Sequence, residues 1–277
     1  MILSRLPPAM AAPDPVIHSR RHPLVQRLRR LKETSAADEL CLIEGPKLLE
    51  EALAADIEIV EAVVVTRLEA SDRGGGLLRA LTERRVSVRR VEEGVLASLS
   101  EVETSQGILA LARRPAFAEE RLFTGLPLLV VAVGVQNPGN LGGLLRTAEA
   151  AGATGAYLTA GTADPFSWKA LRGSMGSAFR LPLVRGLPPG EALGRVRARG
   201  LLAVAASAEG ETPYDQADLR GPLALLLGSE GTGLPPELAA GADRRLAIPL
   251  RGRVESLNVG VAAAVLLFEV ARQRGRR

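Results

Sequence analysis

Val135-Gln136-Asn137-Pro138-Gly139-Asn140-Leu141-Gly142-Gly143-Leu144-Leu145-Arg146-Thr147-Ala148-Glu149 follows an uninterrupted apolar run at 128–135 and precedes Gly152. The apolar run reads as a strand buried on both faces. The residues after it read as a helix over 140–151, ended by Gly152. A strand feeding a helix in this way offers free backbone N–H groups and the positive end of the helix dipole to an anion. The glycines at 139, 142 and 143 do not fit G-x-G-x-x-G, and no Lys-Ser/Thr pair follows. Neither the dinucleotide fingerprint nor a P-loop is present. Taken alone, the stretch reads first as a plain N-cap followed by a solvated Arg146.

The same alternation continues outward. Strands are expected at 156–159, 201–206, 223–227 and 246–248, a helical region at 168–178 and a long helix over 257–274. Continuous apolar strands separated by helices predict an α/β domain with a mostly parallel sheet covered on both faces. Upstream, Leu24, Val25, Leu28 and Leu31 share one helix face, leaving Arg27, Arg29 and Arg30 towards solvent. Strands at 40–43, 57–65, 86–91 and 108–112 alternate with helices from Pro46 and near 77–83, which predicts a second, smaller α/β domain. The chain therefore divides into a disordered leader (1–16), a first domain (17–114), a linker (115–126) and a second domain (127–277).

With 47% hydrophobic and 24% charged residues, the 277-residue chain has the composition of a folded globular protein, and no apolar run approaches the length of a membrane span. One cysteine, Cys41, excludes an internal disulfide and fits a cytoplasmic location. A net charge of +4 weakly favours a polyanionic partner. Lysine occurs only at 32, 47 and 169, so arginine carries the positive charge. A GC-rich genome explains that bias equally well. Every aromatic residue lies at or after Phe117, and both histidines, His18 and His22, lie in the first half.

Two further segments carry chemistry. Leu225-Leu226-Leu227-Gly228-Ser229-Glu230-Gly231-Thr232-Gly233-Leu234 runs an apolar strand into three glycines around one carboxylate, at the strand end where open α/β sheets bind ligands. Read by itself, it is equally a tight surface turn. In Ile248-Pro249-Leu250-Arg251-Gly252-Arg253-Val254-Glu255-Ser256-Leu257-Asn258-Val259-Gly260-Val261-Ala262, a short strand gives way to a loop and a helix, with Ser256 a good N-cap. Capping alone would account for Ser256 and Asn258.

In this order the three segments resemble the SpoU/TrmH family of the SPOUT class of RNA methyltransferases. A fourth stretch, 167–182 with Arg172, Ser174 and Gly176, is similar to that family as well. The first half, with Ile43-Glu44-Gly45 and Gln106-Gly107-Ile108, resembles the family's substrate-binding domain, itself similar to small ribosomal RNA-binding proteins. Where the family often has Asp before the proline of the first segment, this chain has Asn137.

The resemblance implies a C-terminal trefoil-knot methyltransferase domain, a homodimer formed through it, and S-adenosylmethionine as cofactor, with no metal. It places cofactor contacts at Gly228, Ile248, Leu257, Asn258 and Ser207. It assigns the reaction, methylation of a ribose 2′-hydroxyl, to Asn140, Arg146, Glu230, Ser256 and Asn258. Arg146 is the activating residue that the family suggests. A guanidinium rarely deprotonates, so we expect it to hold a phosphate and stabilise the developing alkoxide by charge. The second half has no His or Cys, which removes the usual general base and metal ligands there. Structured RNA is the expected partner, bound through Arg20, Arg21, Arg27, Arg30 and Arg172. The aromatic-free first half cannot stack bases and should read phosphates and shape. The two-domain layout favours ribosomal over transfer RNA. Alternatives are a transfer-RNA or antibiotic-resistance methyltransferase, a non-catalytic RNA-binding knot protein, and a dehydrogenase, which lacks its fingerprint here.

Overall fold

The computed structural model describes residues 15–33, 39–100 and 105–275; nearly all of the expected leader lies outside them. The first domain is built from α1 (Pro23–Glu33), β1 (Leu40–Glu44), α2 (Pro46–Ala54), β2 (Ile59–Val64), α3 (Thr66–Glu69), α4 (Asp72–Glu83), β3 (Ser87–Arg90), α5 (Glu93–Ala97) and β4 (Ile108–Arg113). Its sheet has the order β1-β4-β2-β3, with β4 antiparallel to both neighbours and β2 parallel to β3. Val25 and Leu28 of α1 are buried, and Leu24 and Leu31 pack beside them, as the spacing predicts.

The second domain comprises β5 (Leu128–Ala132), α6 (Pro138–Ala150), β6 (Gly155–Thr159), α7 (Trp168–Ser174), α8 (Ser177–Arg180), β7 (Leu183–Leu187), α9 (Pro189–Ala198), β8 (Leu202–Ala206), β9 (Thr212–Pro213), β10 (Leu223–Leu227), α10 (Pro236–Gly241), β11 (Arg244–Ala247) and α11 (Val259–Gln273). Its seven strands run in the order β7-β6-β5-β10-β8-β11-β9, every pair parallel. Alternate residues of β5 serve opposite layers. Leu128, Val130 and Ala132 join the core with α6, α7 and α11, whereas Leu129 and Val131 join that of α9 and α10. After β10 the chain lays β11 beyond β8 and then returns to pack α11 against α6.

Four local features differ from the sequence-based expectation. The helical region 168–178 breaks where Met175 (φ 49°) and Gly176 (φ 90°) turn left-handed, which separates α7 from α8. Helix α6 begins at Pro138, not Asn140, because Asn137 is extended and accepts from the backbone N–H groups of Gly139 (2.9 Å) and Asn140 (3.2 Å). Helix α11 is capped by Asn258, which accepts from Gly260 at 2.9 Å, and Ser256 stays in the loop. The stretch 115–126 is packed: Leu122 of its 3-10 turn is fully buried, and the Tyr157 hydroxyl, raised in pKa by burial and then by Glu119, donates to that carboxylate at 2.5 Å.

The two domains are joined by charge as well as by a shared core. Arg114 and Asp164 form an ion pair at 3.0 Å with side chains only 5% and 10% exposed. Arg185 reaches the same carboxylate at 3.2 Å, and both guanidiniums lie over the Phe166 ring. Arg180 bridges Glu51 of α2 (2.7 Å) and Glu149 of α6 (2.6 Å).

Candidate functional site

Strands β8, β10 and β11 deliver three loops to one end of the parallel sheet, and those loops enclose a cleft of about 640 Å³. The first loop follows β8, where the Ser207 amide donates to the Leu246 carbonyl at 3.0 Å and so ties it to β11. The second leaves β10 at Gly228 and doubles back. Gly233, at φ 65°, donates its N–H to the Ser229 carbonyl at 2.9 Å, and the Ser229 and Thr232 hydroxyls meet at 2.8 Å. The close approach demands glycine, because a Cβ on Gly228 would lie 2.1 Å from the Gly233 carbonyl carbon. The third loop runs from Ile248 past Glu255, Ser256 and Leu257 into α11.

Gly228, Ile248, Leu257 and Ser207 all line this cleft, as do Glu230 and Ser256. Asn140 does not line it but touches it: its side-chain amide donates to a Glu230 oxygen, linking the first turn of α6 to the second loop. Glu230 thereby takes Asn140 as partner; its other oxygen remains available to a ligand. Asn258 is outside the cleft lining, with its side-chain oxygen spent on the α11 cap. A Cβ on Gly260 would be 4.0 Å from the Asn140 carbonyl, so the α6 and α11 N-termini lie side by side.

Arg146 stands apart. It is exposed in the third turn of α6, outside the cleft lining, about 9 Å along the helix from Asn140 and a third of a turn around it. Arg172 is exposed in the last turn of α7. Arg20, Arg21, Arg27 and Arg30 are exposed on or just before α1, with Arg27 at 3.7 Å from Glu61. Among the described residues no group of three potential metal ligands lies together.

Sequence reasoning missed Glu209, Arg245 and the α10 residues Ala239 and Ala240, which also line the cleft. No motif marks them, because loop closure between separate strands brings them there. A charged pair, Arg245 with Glu211, sits at its β11 wall. Asn137 departs from the family pattern without loss of form. Its amide oxygen performs the double capping that a carboxylate would perform.

A bound cofactor of nucleoside size is compatible with this architecture. The volume falls within the range of small-molecule sites, and the walls mix apolar side chains with exposed backbone at the glycine turn.

Comparison with known proteins places both halves. Residues 127–268 match the SpoU rRNA Methylase family, and residues 42–118 match the family described as RNA 2′-O ribose methyltransferase substrate binding. The chain is 34% identical over 247 residues to the 23S rRNA (guanosine(2553)-2′-O)-methyltransferase RlmP of Bacillus subtilis (strain 168), covering 88% of this chain and 93% of that one. A crystal structure of an RNA 2′-O ribose methyltransferase superposes with a TM-score of 0.82 at 35% identity, over 93% of this chain and 98% of the other. The SpoU methyltransferase AviRb from Streptomyces viridochromogenes, solved in complex with AdoMet, also gives 0.82, at 28% identity over 92% and 98%.

Proposed function

The chain belongs to the SpoU rRNA methylase family, and on that premise we propose that it methylates a ribose 2′-hydroxyl of 23S ribosomal RNA, using S-adenosylmethionine. The observation that carries this reading is the convergence of the 207, 228–234 and 248–257 loops on one cleft whose rim is tied, through Glu230 and Asn140, to the N-terminus of α6. A cytoplasmic location fits that substrate.

When bound, the cofactor supplies an electrophilic methyl group. Backbone groups of Gly228, Ile248 and Leu257 would hold it, with Ser207 at the rim. Ser256 and Asn258 keep the third loop and the start of α11 in place. Asn140 fixes Glu230 by occupying one carboxylate oxygen, which leaves the other to orient the ribose hydroxyl and take its proton. Arg146 holds the neighbouring phosphate and offsets the negative charge that grows on the 2′-oxygen.

Arg146 does not line the cleft of its own chain, so this role needs a second protomer. A homodimer through the C-terminal domain is supported by α11, where Val261 and Phe268 are 50% and 51% exposed. They are seven residues apart, hence on one face, and α11 packs beside α6. Mixing Arg146→Ala with Gly228→Val chains tests the arrangement. Two inactive homodimers should yield an active mixed species, and no recovery in a species shown to be mixed overturns the shared site.

Mapping of 2′-O-methylation in 23S rRNA from cells with and without the gene tests the function itself. One position should lose its methyl group and regain it in vitro with purified protein and S-adenosylmethionine. An unchanged map, with methylation found on transfer RNA instead, overturns the assignment.

A further inference from the structure

We propose that α7 carries a phosphate-binding ridge, centred on Lys169, that joins the cations of α1 to Arg146 and grips the sugar-phosphate backbone of folded RNA. The proposal rests on the RNA-methyltransferase reading above and extends the expected RNA contact at Arg172 to Lys169 and the exposed flank of α7.

The ridge begins at the domain seam. The Lys32 ammonium, in the last turn of α1, lies 5.3 Å from the centroid of the Trp168 ring, which opens α7. Lys169 follows, and Arg172 is three residues further on, so the two share one flank of the helix. Both are exposed, and α7 contains no acidic residue. Neither makes an ion pair among the described residues, in contrast to Arg73 with Glu50 and Arg113 with Glu39 and Glu58. Helix α7 then crosses α6 in close contact. A Cβ on Gly173 would stand 3.0 Å from the Gly139 carbonyl, and one on Gly142 would stand 2.5 Å from the Ala170 carbonyl. Arg146 is one turn beyond Gly142 on the same stripe and is exposed, so it emerges at the edge of this helix pair.

The dimensions suit a polyanion. Helix α1 is about 16 Å long and α7 about 10 Å, enough to face several phosphates of one strand. The chemistry favours backbone over bases, because Trp168 is buried and α1 has no aromatic residue to stack on. Lys169 is a binding residue on this account, and the reaction steps stay with the cleft.

The test uses the full chain and an RNA duplex of about 20 base pairs as probe, with affinity measured across a range of potassium chloride. Lys169→Ala should lower the slope of log affinity against log salt by about 0.9, and Lys169→Ala/Arg172→Ala by about twice that. Lys169→Arg should restore the slope, and Lys47→Ala, whose ammonium pairs with Glu51, should leave it unchanged. Affinity for S-adenosylmethionine and melting temperature should not move. A wild type that binds the duplex with a slope insensitive to both α7 variants overturns the ridge and leaves the methyltransferase reading intact. A wild type that neither binds RNA nor methylates 23S rRNA overturns both.

Discussion

At the scale of single residues, the roles proposed for Arg146 and Glu230 should fail differently. If Arg146 acts by charge, Arg146→Lys retains measurable turnover, whereas Arg146→Ala loses about 10²- to 10³-fold in kcat. Complete loss in the lysine variant, with RNA affinity unchanged, would refute a purely electrostatic part. Glu230→Gln keeps the shape of the Asn140 contact but removes the proposed proton acceptor. A fall of about 10²- to 10⁴-fold in kcat with cofactor affinity within a few-fold of wild type is expected; equal loss of both would instead make Glu230 a cofactor ligand. Residues of this kind were legible in the sequence only through the joint order of their segments. Glu230 between glycines, or Asn140 after Pro-Gly, is individually compatible with an ordinary turn. The Asn140–Glu230 contact itself joins positions 90 residues apart, and no local pattern encodes it.

At the scale of elements, periodicity located the strands with continuous apolar runs, β5, β8 and β10, because burial on both faces leaves no polar position to confuse the signal. It passed over β7, whose Arg185 and Gly186 are exposed on a sheet edge, and α9, which carries Gly190 and Gly194. The two caps were misplaced by two or three residues, since Asn137 and Asn258 compete with equally suitable neighbours and only backbone geometry decides. The α6–α7 crossing supplies a paired prediction. Gly142→Ala forces a methyl group into the Ala170 carbonyl and should cost about 1–3 kcal/mol by overpacking. Its neighbour Gly143 meets nothing within 4 Å, so Gly143→Ala should stabilise the helix by up to about 1 kcal/mol. Thermal melts of the two variants moving in the same direction would refute the crossing.

At the scale of the whole molecule, stability should fall in acid. Glu149 is held below its ordinary pKa chiefly by its hydrogen bond to Arg180, and Glu51 first by Lys47 and then also by Arg180. A depressed carboxylate stabilises the fold above its unfolded pKa, near 4.3, and that contribution is lost as pH falls through the folded value. Stability should therefore hold from neutrality to about pH 5 and decline below about pH 4.3. Arg180→Ala should flatten that decline; an identical acid profile would show that these carboxylates do not set it. The crossing of α11 back onto α6 has a further consequence, in time. On a ribosome the first sheet has all its strands once residue 113 has emerged, but β5 must wait for β10 and the cleft for the residues beyond 258. At synthesis rates of about 5–20 residues per second, the stretch from the end of β5 to the end of β10 leaves β5 without that partner for roughly 5–20 seconds. Nascent chains of this enzyme are thus exposed to aggregation and to chaperone capture for longer than the order of domains along the chain suggests.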